Sequence, residues 1–188
     1  PLFRHGENHT SISAAPTYTQ GDRIAQFTRE YREKTGRSFF AAYLEAIQSN
    51  VRLDGRVDKA KDLVIYQDEN VVAFVPKAQR SQGEIQIMCK GECGNILEAD
   101  KEVRSSLDRL MLLSMKVLEN LGVEIFTAFE ASKRLDNGDG DQRILYSILP
   151  RHPLSPGGFS ESQQRWISNH YPEDFAKTCR DEVDKIMQ

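Results

Sequence analysis

Residues 100–122, DKEVRSSLDRLMLLSMKVLENLG, decide the fold class of this chain. Apolar side chains recur in this stretch with the spacing of one face of an α-helix. Asp100 has the side chain of a helix N-cap, and Gly122 is typical of the residue that follows a helix end. The pattern therefore predicts a long helix between these two positions. Its inward face consists of Val103, Leu107, Leu110, Met111, Ser114, Leu118 and Leu121.

The period of the apolar pattern drops to two on both sides of this helix. Before the helix, strands are predicted at Leu63–Tyr66, Val71–Val75 and Glu84–Met88. After the helix, strands are predicted at Val123–Phe129 and Arg143–Leu149. Strands grouped on either side of one long helix indicate an α+β fold, because a doubly wound fold would alternate strands and helices regularly. We therefore expect one largely antiparallel sheet with the helix packed across it.

Helical periodicity returns further out along the chain. Asp22 is a candidate N-cap for a helix that ends at Gly36, and a second helix is predicted from Ser38 to Ser49. Pro172 is suited to the first turn of a final helix. The chain is thereby divided into three parts: an extended arm at 1–19, a helical segment at 20–62 and the α+β domain at 63–188.

Composition limits the function classes. The chain has 188 residues, a net charge of -3 and 39% hydrophobic residues, so it can bury one core but lacks the basic field of a nucleic-acid-binding protein. No apolar run reaches the roughly 18 residues that span a bilayer, and the N-terminus shows no signal-peptide pattern. We expect a cytoplasmic protein that binds neither nucleic acid nor membrane.

The cysteines and the acidic loop give no complete metal site. Cys89 and Cys93 are spaced like half of a zinc site, but no second pair completes it. The loop Asp136–Asp141 is rich in carboxylates, yet it lacks the ligand spacing of an EF-hand. We therefore expect no metal and no cofactor, with zinc at the two cysteines as the alternative.

One segment resembles a known family. The sequence contains no nucleophile elbow, phosphate loop, dinucleotide fingerprint or zincin motif. Asp141–Arg151 is an alternating strand that ends in Pro-Arg, and it resembles the strand of the histidine-triad superfamily that carries His-x-His-x-His, or His-x-His-x-Glu in uridylyltransferase-like relatives. Further segments agree in the same order along the chain. Three of them resemble the superfamily's second strand and the strand and loop before its long helix: Asp68–Pro76, Glu84–Lys90 and Gly94–Leu97. The others resemble the C-terminal half of galactose-1-phosphate uridylyltransferases, with its bridging helix at Tyr31–Gly36 and its tail at Gly157–Ser160, Trp166–Asn169 and Tyr171–Ala176.

The resemblance implies that the usual chemistry is lost. Arg143, Leu145 and Ser147 occupy the triad positions, and Glu92 stands where the family has a further histidine. Neither arginine nor leucine can form a covalent nucleotidyl intermediate, because that mechanism needs a nucleophile that is also a good leaving group near neutral pH. The resemblance therefore implies a degenerate domain that binds a nucleotide or sugar phosphate without transferring it.

The ligand-binding residues are expected on the same segments. Lys90, Arg143 and Arg151 can supply charge-assisted contacts to a phosphate, and the alternative is a solvated basic rim. In the uridylyltransferase tail a glutamate helps to hold the hexose, and Ser160 replaces it here. The expected ligand-binding set is Lys90, Glu92, Arg143, Ser147, Arg151, Phe159 and Ser160.

His9 leaves an active enzyme open. His5–Ile12 resembles the nucleophile strand of the uridylyltransferase's first half and would place His9 at the catalytic position; an exposed arm histidine is the alternative. His152 and His170 are expected as surface or capping residues. Three hypotheses remain: a binding module, a nucleotidyltransferase or phosphohydrolase that uses His9 or a non-histidine mechanism, and a structural protein whose groove is filled by side chains.

The resemblance also implies a homodimer, since relatives usually form two-fold dimers. Phe39, Phe40 and Tyr43 of the second predicted helix offer more apolar surface than one domain face readily covers. We therefore expect a homodimer.

Overall fold

The computed structural model describes residues 20–57, 59–133, 141–151 and 170–188. Within them, the sheet has five strands in the order β1-β2-β3-β5-β4, and every neighbouring pair is antiparallel. Each strand lies within two residues of its predicted position, and the predicted α+β class is confirmed. The strands are β1 (Val64–Gln67), β2 (Val71–Phe74), β3 (Ile85–Cys89), β4 (Ile125–Ala131) and β5 (Leu145–Arg151).

The described residues also form four helices. α3 is the predicted long helix, and the Asp100 side chain caps it by accepting a hydrogen bond from the Val103 N–H. Gly122 follows α3 with a φ of 81°, a left-handed conformation that favours glycine. The predicted N-cap at Asp22 is wrong, because α1 begins two residues earlier. The helices are α1 (Gln20–Thr35), α2 (Phe39–Gln48), α3 (Lys101–Asn120) and α4 (Pro172–Ile186).

Helices cover both faces of the sheet, which gives three layers. α3 and α4 pack on one face, here called the α3 face, where the strands contribute side chains such as Val71, Ala73 and Ile87. α2 packs on the opposite α2 face, where the strands contribute Val72 and Phe74. All residues of β2 and β3 are therefore buried. Their side chains point alternately into the core on the α3 face and into the core on the α2 face, and neither face of these strands meets solvent. None of the described helices is long and apolar enough to cross a membrane.

The aromatic side chains of α2 pack inside the chain. Phe40 is 1% exposed. The Phe39 ring stacks on Tyr43 with centroids 5.7 Å apart and meets Phe27 of α1 edge-on at 4.9 Å. Tyr43 in turn contacts Phe74 of β2 edge-on at 5.6 Å. These rings therefore join α2 to α1 and to the sheet.

A cluster of charged side chains, here called the α4 clamp, fixes the loop before β1 to the start of α4. Arg52 donates to Asp54 at 2.6 Å and to Asp174 at 2.9 Å, and Arg56 donates to the same two carboxylates. Both guanidinium groups lie over the ring of Tyr171, at 5.7 and 4.5 Å from its centroid. The hydrogen bond from Arg52 is the main cause that lowers the pKa of both Asp54 and Asp174. The charged loop is thus pinned by α4.

The two edges of the sheet differ in construction. β1 contains an irregular register between Val64 and Tyr66. Arg180 of α4 donates to the main-chain carbonyls of Asp62 at 3.1 Å and of Val64 at 2.6 Å. At the other edge, all seven residues of β4 pair in regular register with β5, and the side chain of Ile125 is 50% exposed.

Candidate functional site

β5 lies between β3 and β4 and sends alternate side chains to the two faces of the sheet. Ile144 before the strand and Ile148 within it belong to the core on the α3 face. Leu145 packs with the core on the α2 face, and Ser147 lies opposite Gln86 of β3 on that same face. Two of the triad positions implied by the family resemblance, Leu145 and Ser147, therefore lie on the α2 face.

The three triad positions differ in environment. Leu145 contributes only apolar contact to the core under α2. Ser147 is 1% exposed. Arg143 precedes β5 instead of lying in it, is 8% exposed, and donates to the main-chain carbonyl of Lys90 at 2.5 Å. Burial lowers the pKa of the Arg143 guanidinium, while the nearby Asp141 opposes that shift. The alternative of a solvated basic rim is therefore wrong for Arg143.

Lys90 and Glu92 lie at the same end of the sheet as Arg143. The Lys90 ammonium donates to the main-chain carbonyl of Asp68 at 2.8 Å. Glu92 is exposed. Lys90 and Arg143 are thus brought together, but each donates to a main-chain carbonyl.

Arg151 lies at the opposite end of β5. Its Nε donates to the Thr127 hydroxyl of β4 at 3.3 Å, and its side chain is exposed. Eight residues separate it from Arg143, which corresponds to about 26 Å along an extended chain. The structure therefore does not bring Arg151 together with Lys90 and Arg143 around one phosphate.

A hydrogen-bond network that the sequence did not predict connects Ser147 to α2. Glu84 is fully buried; it accepts from the Arg80 main-chain N–H at 2.6 Å, from Gln86 Nε2 at 3.0 Å and from Arg80 Nη2 at 3.3 Å. The Tyr43 hydroxyl donates to Gln86 Oε1 at 3.1 Å. Arg80 Nη2 also donates to the Ser147 hydroxyl at 3.1 Å. A buried network of this kind orients its members, because each polar group has a partner.

Beyond Ser147 the α2 face is exposed. Thr127 and Ile125 of β4 lie opposite Leu149 and Arg151 of β5, and both β4 side chains are exposed. Phe129 lies opposite Ser147, and the Arg80 guanidinium stacks over its ring at 4.6 Å from the centroid. We call this surface, formed by Ile125, Thr127, Phe129, Leu149 and Arg151, the β4–β5 shelf. Arg80 lies at its inner border.

The cysteines are buried free thiols. Burial raises the pKa of Cys89 and of Cys179 to about 12, so both are protonated near neutral pH. Burial also raises the pKa of Cys93. Among the described residues, no group of three or more histidine, cysteine, aspartate and glutamate side chains is arranged to hold a metal ion.

His170 stacks on Phe175 of α4 at 4.9 Å between centroids, and burial lowers its pKa. His170 is half-buried and directly precedes Tyr171, the N-cap residue of α4. The candidates His9, His152, Phe159 and Ser160 lie outside the described residues.

The fold is shared with solved structures. No protein-family model matches the chain, and no curated protein is significantly similar to it in sequence. A uridylyltransferase structure superposes with a TM-score of 0.75 at 15% identity, over 90% of this chain and 52% of the other. An ADP-glucose phosphorylase from Arabidopsis thaliana with bound ADP-glucose gives 0.66 at 21% identity, over 86% of this chain and 48% of the other.

A smaller protein shares the same core. A zinc-bound histidine triad family protein from Mycobacterium smegmatis gives a TM-score of 0.51 at 11% identity, over 66% of this chain and 86% of the other. This chain spans about half the length of the uridylyltransferase and of the phosphorylase. The chain therefore has the fold of the histidine-triad superfamily and, within it, resembles the C-terminal half of galactose-1-phosphate uridylyltransferases.

Proposed function

We propose that this chain is a uridylyltransferase-like domain that binds a nucleotide or sugar phosphate without a histidine-based nucleotidyl transfer of its own. The observation that carries the proposal is the environment of the triad positions on β5. The Leu145 side chain has no heteroatom and packs in a core, so it can neither attack a phosphorus atom nor act as the leaving group of a covalent intermediate. Arg143 is buried and bonded to a main-chain carbonyl, which suits a structural cation.

Ser147 is a poor nucleophile in this environment. Its hydroxyl accepts a hydrogen bond from Arg80, and a guanidinium cation cannot act as the base that removes the hydroxyl proton. In the part of the chain that the structure describes, no histidine or carboxylate is hydrogen-bonded to Ser147. A serine nucleophile needs such an adjacent base, so covalent catalysis at Ser147 is disfavoured.

The β4–β5 shelf is the proposed place for the ligand. It combines an exposed cation, Arg151, with the Thr127 hydroxyl and the Phe129 ring. Charged donors and one aromatic face are what a phosphate with an attached nucleoside or sugar requires. The bound ADP-glucose of the structurally similar phosphorylase supports this ligand class.

We also propose that the chain forms a homodimer through β4. Among the described residues no strand pairs with the outer edge of β4, whose main-chain donors and acceptors suit another strand, and the side chains of Ile125 and Phe126 are 50% and 37% exposed. Antiparallel pairing of two copies centred on Ala128 would set Ile125 of each copy opposite Ala131 of the other. Such pairing is self-complementary, as a two-fold interface requires.

The transfer experiment tests the absence of covalent chemistry. The protein is incubated with UDP-glucose and with ADP-glucose that carry label in the α-phosphate, and denatured protein is analysed for covalent label. We expect no labelled protein and no released mononucleotide, because the triad positions offer no imidazole.

The matched control is the His9→Ala variant. Turnover in the parent protein that disappears in a folded His9→Ala variant would overturn the proposal and restore the alternative of an active nucleotidyltransferase or phosphohydrolase. A protein that neither transfers nor binds any phosphorylated compound would support the alternative of a structural interaction protein.

A further inference from the structure

We infer that Arg80, from the loop between β2 and β3, binds the phosphate group of the ligand. The inference rests on the proposed function and names the anchoring residue of that site. Arg80 touches the third triad position, since its Nη2 donates to Ser147. Its side chain is 31% exposed and lies at the inner border of the β4–β5 shelf. Arg80 thus contacts a triad position and also borders the open surface.

The guanidinium group is held by one of its three nitrogens. Nη2 donates both to Ser147 and to Glu84, at 3.1 and 3.3 Å. Among the described residues, no acceptor is hydrogen-bonded to Nε or Nη1 of Arg80. The Cζ atom of the group lies over the Phe129 ring, 4.6 Å from its centroid. A planar group with an anchored nitrogen and further N–H donors available suits two parallel hydrogen bonds to a phosphate.

Glu84 makes a shorter hydrogen bond to the main chain of Arg80 than to its guanidinium group. Its shortest contact, at 2.6 Å, is with the Arg80 main-chain N–H, and Gln86 supplies another donor at 3.0 Å. The contact with Arg80 Nη2 is the longest of the three, at 3.3 Å, and involves a single nitrogen. Glu84 therefore keeps two good donors when the guanidinium engages a ligand, and the loop keeps its conformation.

The negative charge of Glu84 has a measurable consequence. Glu84 and Arg80 together carry no net charge, so the carboxylate opposes the approach of an anion to the guanidinium. Replacing Glu84 by glutamine removes that charge and retains an acceptor for the main-chain N–H. Phosphate binding at Arg80 should therefore become tighter in the Glu84→Gln variant, whereas a purely structural ion pair predicts no gain.

The shelf extends from Arg80 to a second cation. Ser147, which Arg80 contacts, and Arg151 are four residues apart on one face of β5, about 13 Å along the strand. The exposed side chains of Thr127 and Ile125 line the way between them. This length favours a ligand in which a nucleoside or a sugar is attached to the phosphate over inorganic phosphate alone.

The test compares four proteins by titration calorimetry with UMP, AMP and inorganic phosphate as probes. They are the parent protein, Glu84→Gln, the double variant Arg80→Met with Glu84→Gln, and Arg109→Met. The double variant removes both members of the pair and leaves no buried unpaired charge, so it is expected to fold. Arg109 is an exposed arginine of α3 paired with Asp68, away from the shelf, and serves as the matched control.

We expect Glu84→Gln to bind the mononucleotides several-fold more tightly than the parent protein. The double variant should bind them about tenfold or more weakly than Glu84→Gln, the loss typical of hydrogen bonds to a charged group. Arg109→Met should bind as the parent does. Near-ultraviolet circular dichroism of each variant verifies that the fold is retained.

Two outcomes separate the failure of this inference from the failure of the proposed function. Equal binding by the parent protein and the folded double variant would overturn the role of Arg80 and leave the proposed function standing. If neither the parent protein nor Glu84→Gln binds any of the probes, both the role of Arg80 and the proposed function would be overturned. A double variant that does not fold would show that the Arg80 and Glu84 pair is structural, and would also overturn the inference.

Discussion

The two edges of the sheet differ in how far they are protected against pairing with another strand. At β1, the register is irregular, and the Arg180 guanidinium donates to two main-chain carbonyls that another strand could otherwise use. At β4, seven residues run in regular register along β5, and the side chains of Ile125 and Phe126, which point to opposite faces of the sheet, are both exposed. Proteins usually protect a long apolar edge with charge, a bulge or a covering segment. The described residues apply such protection to β1, and β4 is the edge suited to pairing.

The largest expected effect comes from adding charge to the β4 edge. Ala128 is exposed at the centre of this strand, and two lysines there would face each other across the proposed two-fold axis. Like charges directly opposite destabilise strand pairing. We expect Ala128→Lys to raise the dimer dissociation constant by at least about tenfold. Sedimentation velocity over a concentration series measures this change.

The control for Ala128→Lys is Leu53→Lys, which adds the same charge at an exposed aliphatic residue in the loop before β1. This variant should assemble as the parent protein does. A parent protein that remains monomeric at micromolar concentration would contradict the proposed homodimer. Equal weakening by both variants would attribute the effect to net charge and not to the β4 edge.

A smaller effect is expected from opening the β1 edge. Arg180→Met keeps much of the apolar length of the side chain but removes the donors to the carbonyls of Asp62 and Val64. Hydrogen bonds from a charged donor contribute about 1.5–3 kcal/mol in favourable cases, and solvent reaches this edge, so we expect a loss of about 1–2 kcal/mol. Urea unfolding measures the free energy of unfolding. The free energy of unfolding of Arg180→Lys should lie between those of the parent protein and Arg180→Met. An unchanged free energy of unfolding in Arg180→Met would show that Arg180 does not close the edge.

The smallest expected effect concerns the α4 clamp, which fixes the loop before β1. The hydrogen bond from Arg52 lowers the pKa of Asp174, so in the folded protein this carboxyl has a lower pKa than in the unfolded chain. Its stabilising contribution is therefore present above about pH 4 and is lost as the pH falls below that value. Because the Asp174 side chain is 39% exposed, solvent screening limits the contribution to less than about 1 kcal/mol.

Asp174→Asn should lower the free energy of unfolding at neutral pH and flatten its decline between about pH 5 and pH 3. Urea unfolding at a series of pH values gives both quantities. Asp184→Asn, at an exposed position on the same helix, is the control and should leave the curve unchanged. An identical pH dependence in Asp174→Asn and the parent protein would contradict the role of the clamp.

Most of the fold follows from local patterns. α3 could be predicted because its stripe, its N-cap and its terminal glycine agree with one another. β4 was placed two residues too early, since its largely exposed residues carry no alternation that marks its ends. The contacts of the α2 aromatic side chains with α1 and β2 could not be predicted, because they depend on how these elements pack together.

The site is predictable in part. The family resemblance identified Arg143, Leu145 and Ser147 on or next to the right strand. It could not indicate that Arg143 is buried, because burial depends on the segments that pack around it. Glu84 directly before β3 and Gln86 within this otherwise apolar strand signal a buried polar partner, yet only the folded loop identifies Arg80 as that partner.

The central position of β5 also bears on the order in which the protein folds. β1, β2 and β3 pair with neighbours along the chain, and so do β4 and β5. The two groups meet only where β3 pairs with β5, and there Ile85 contacts Ile148, 63 residues further on. Closing so long a loop costs conformational entropy before any contact offsets it, so we expect this pairing to form late. Ser147 would then meet the Arg80 loop only at that last step, and the proposed ligand shelf would be completed together with the final closure of the sheet.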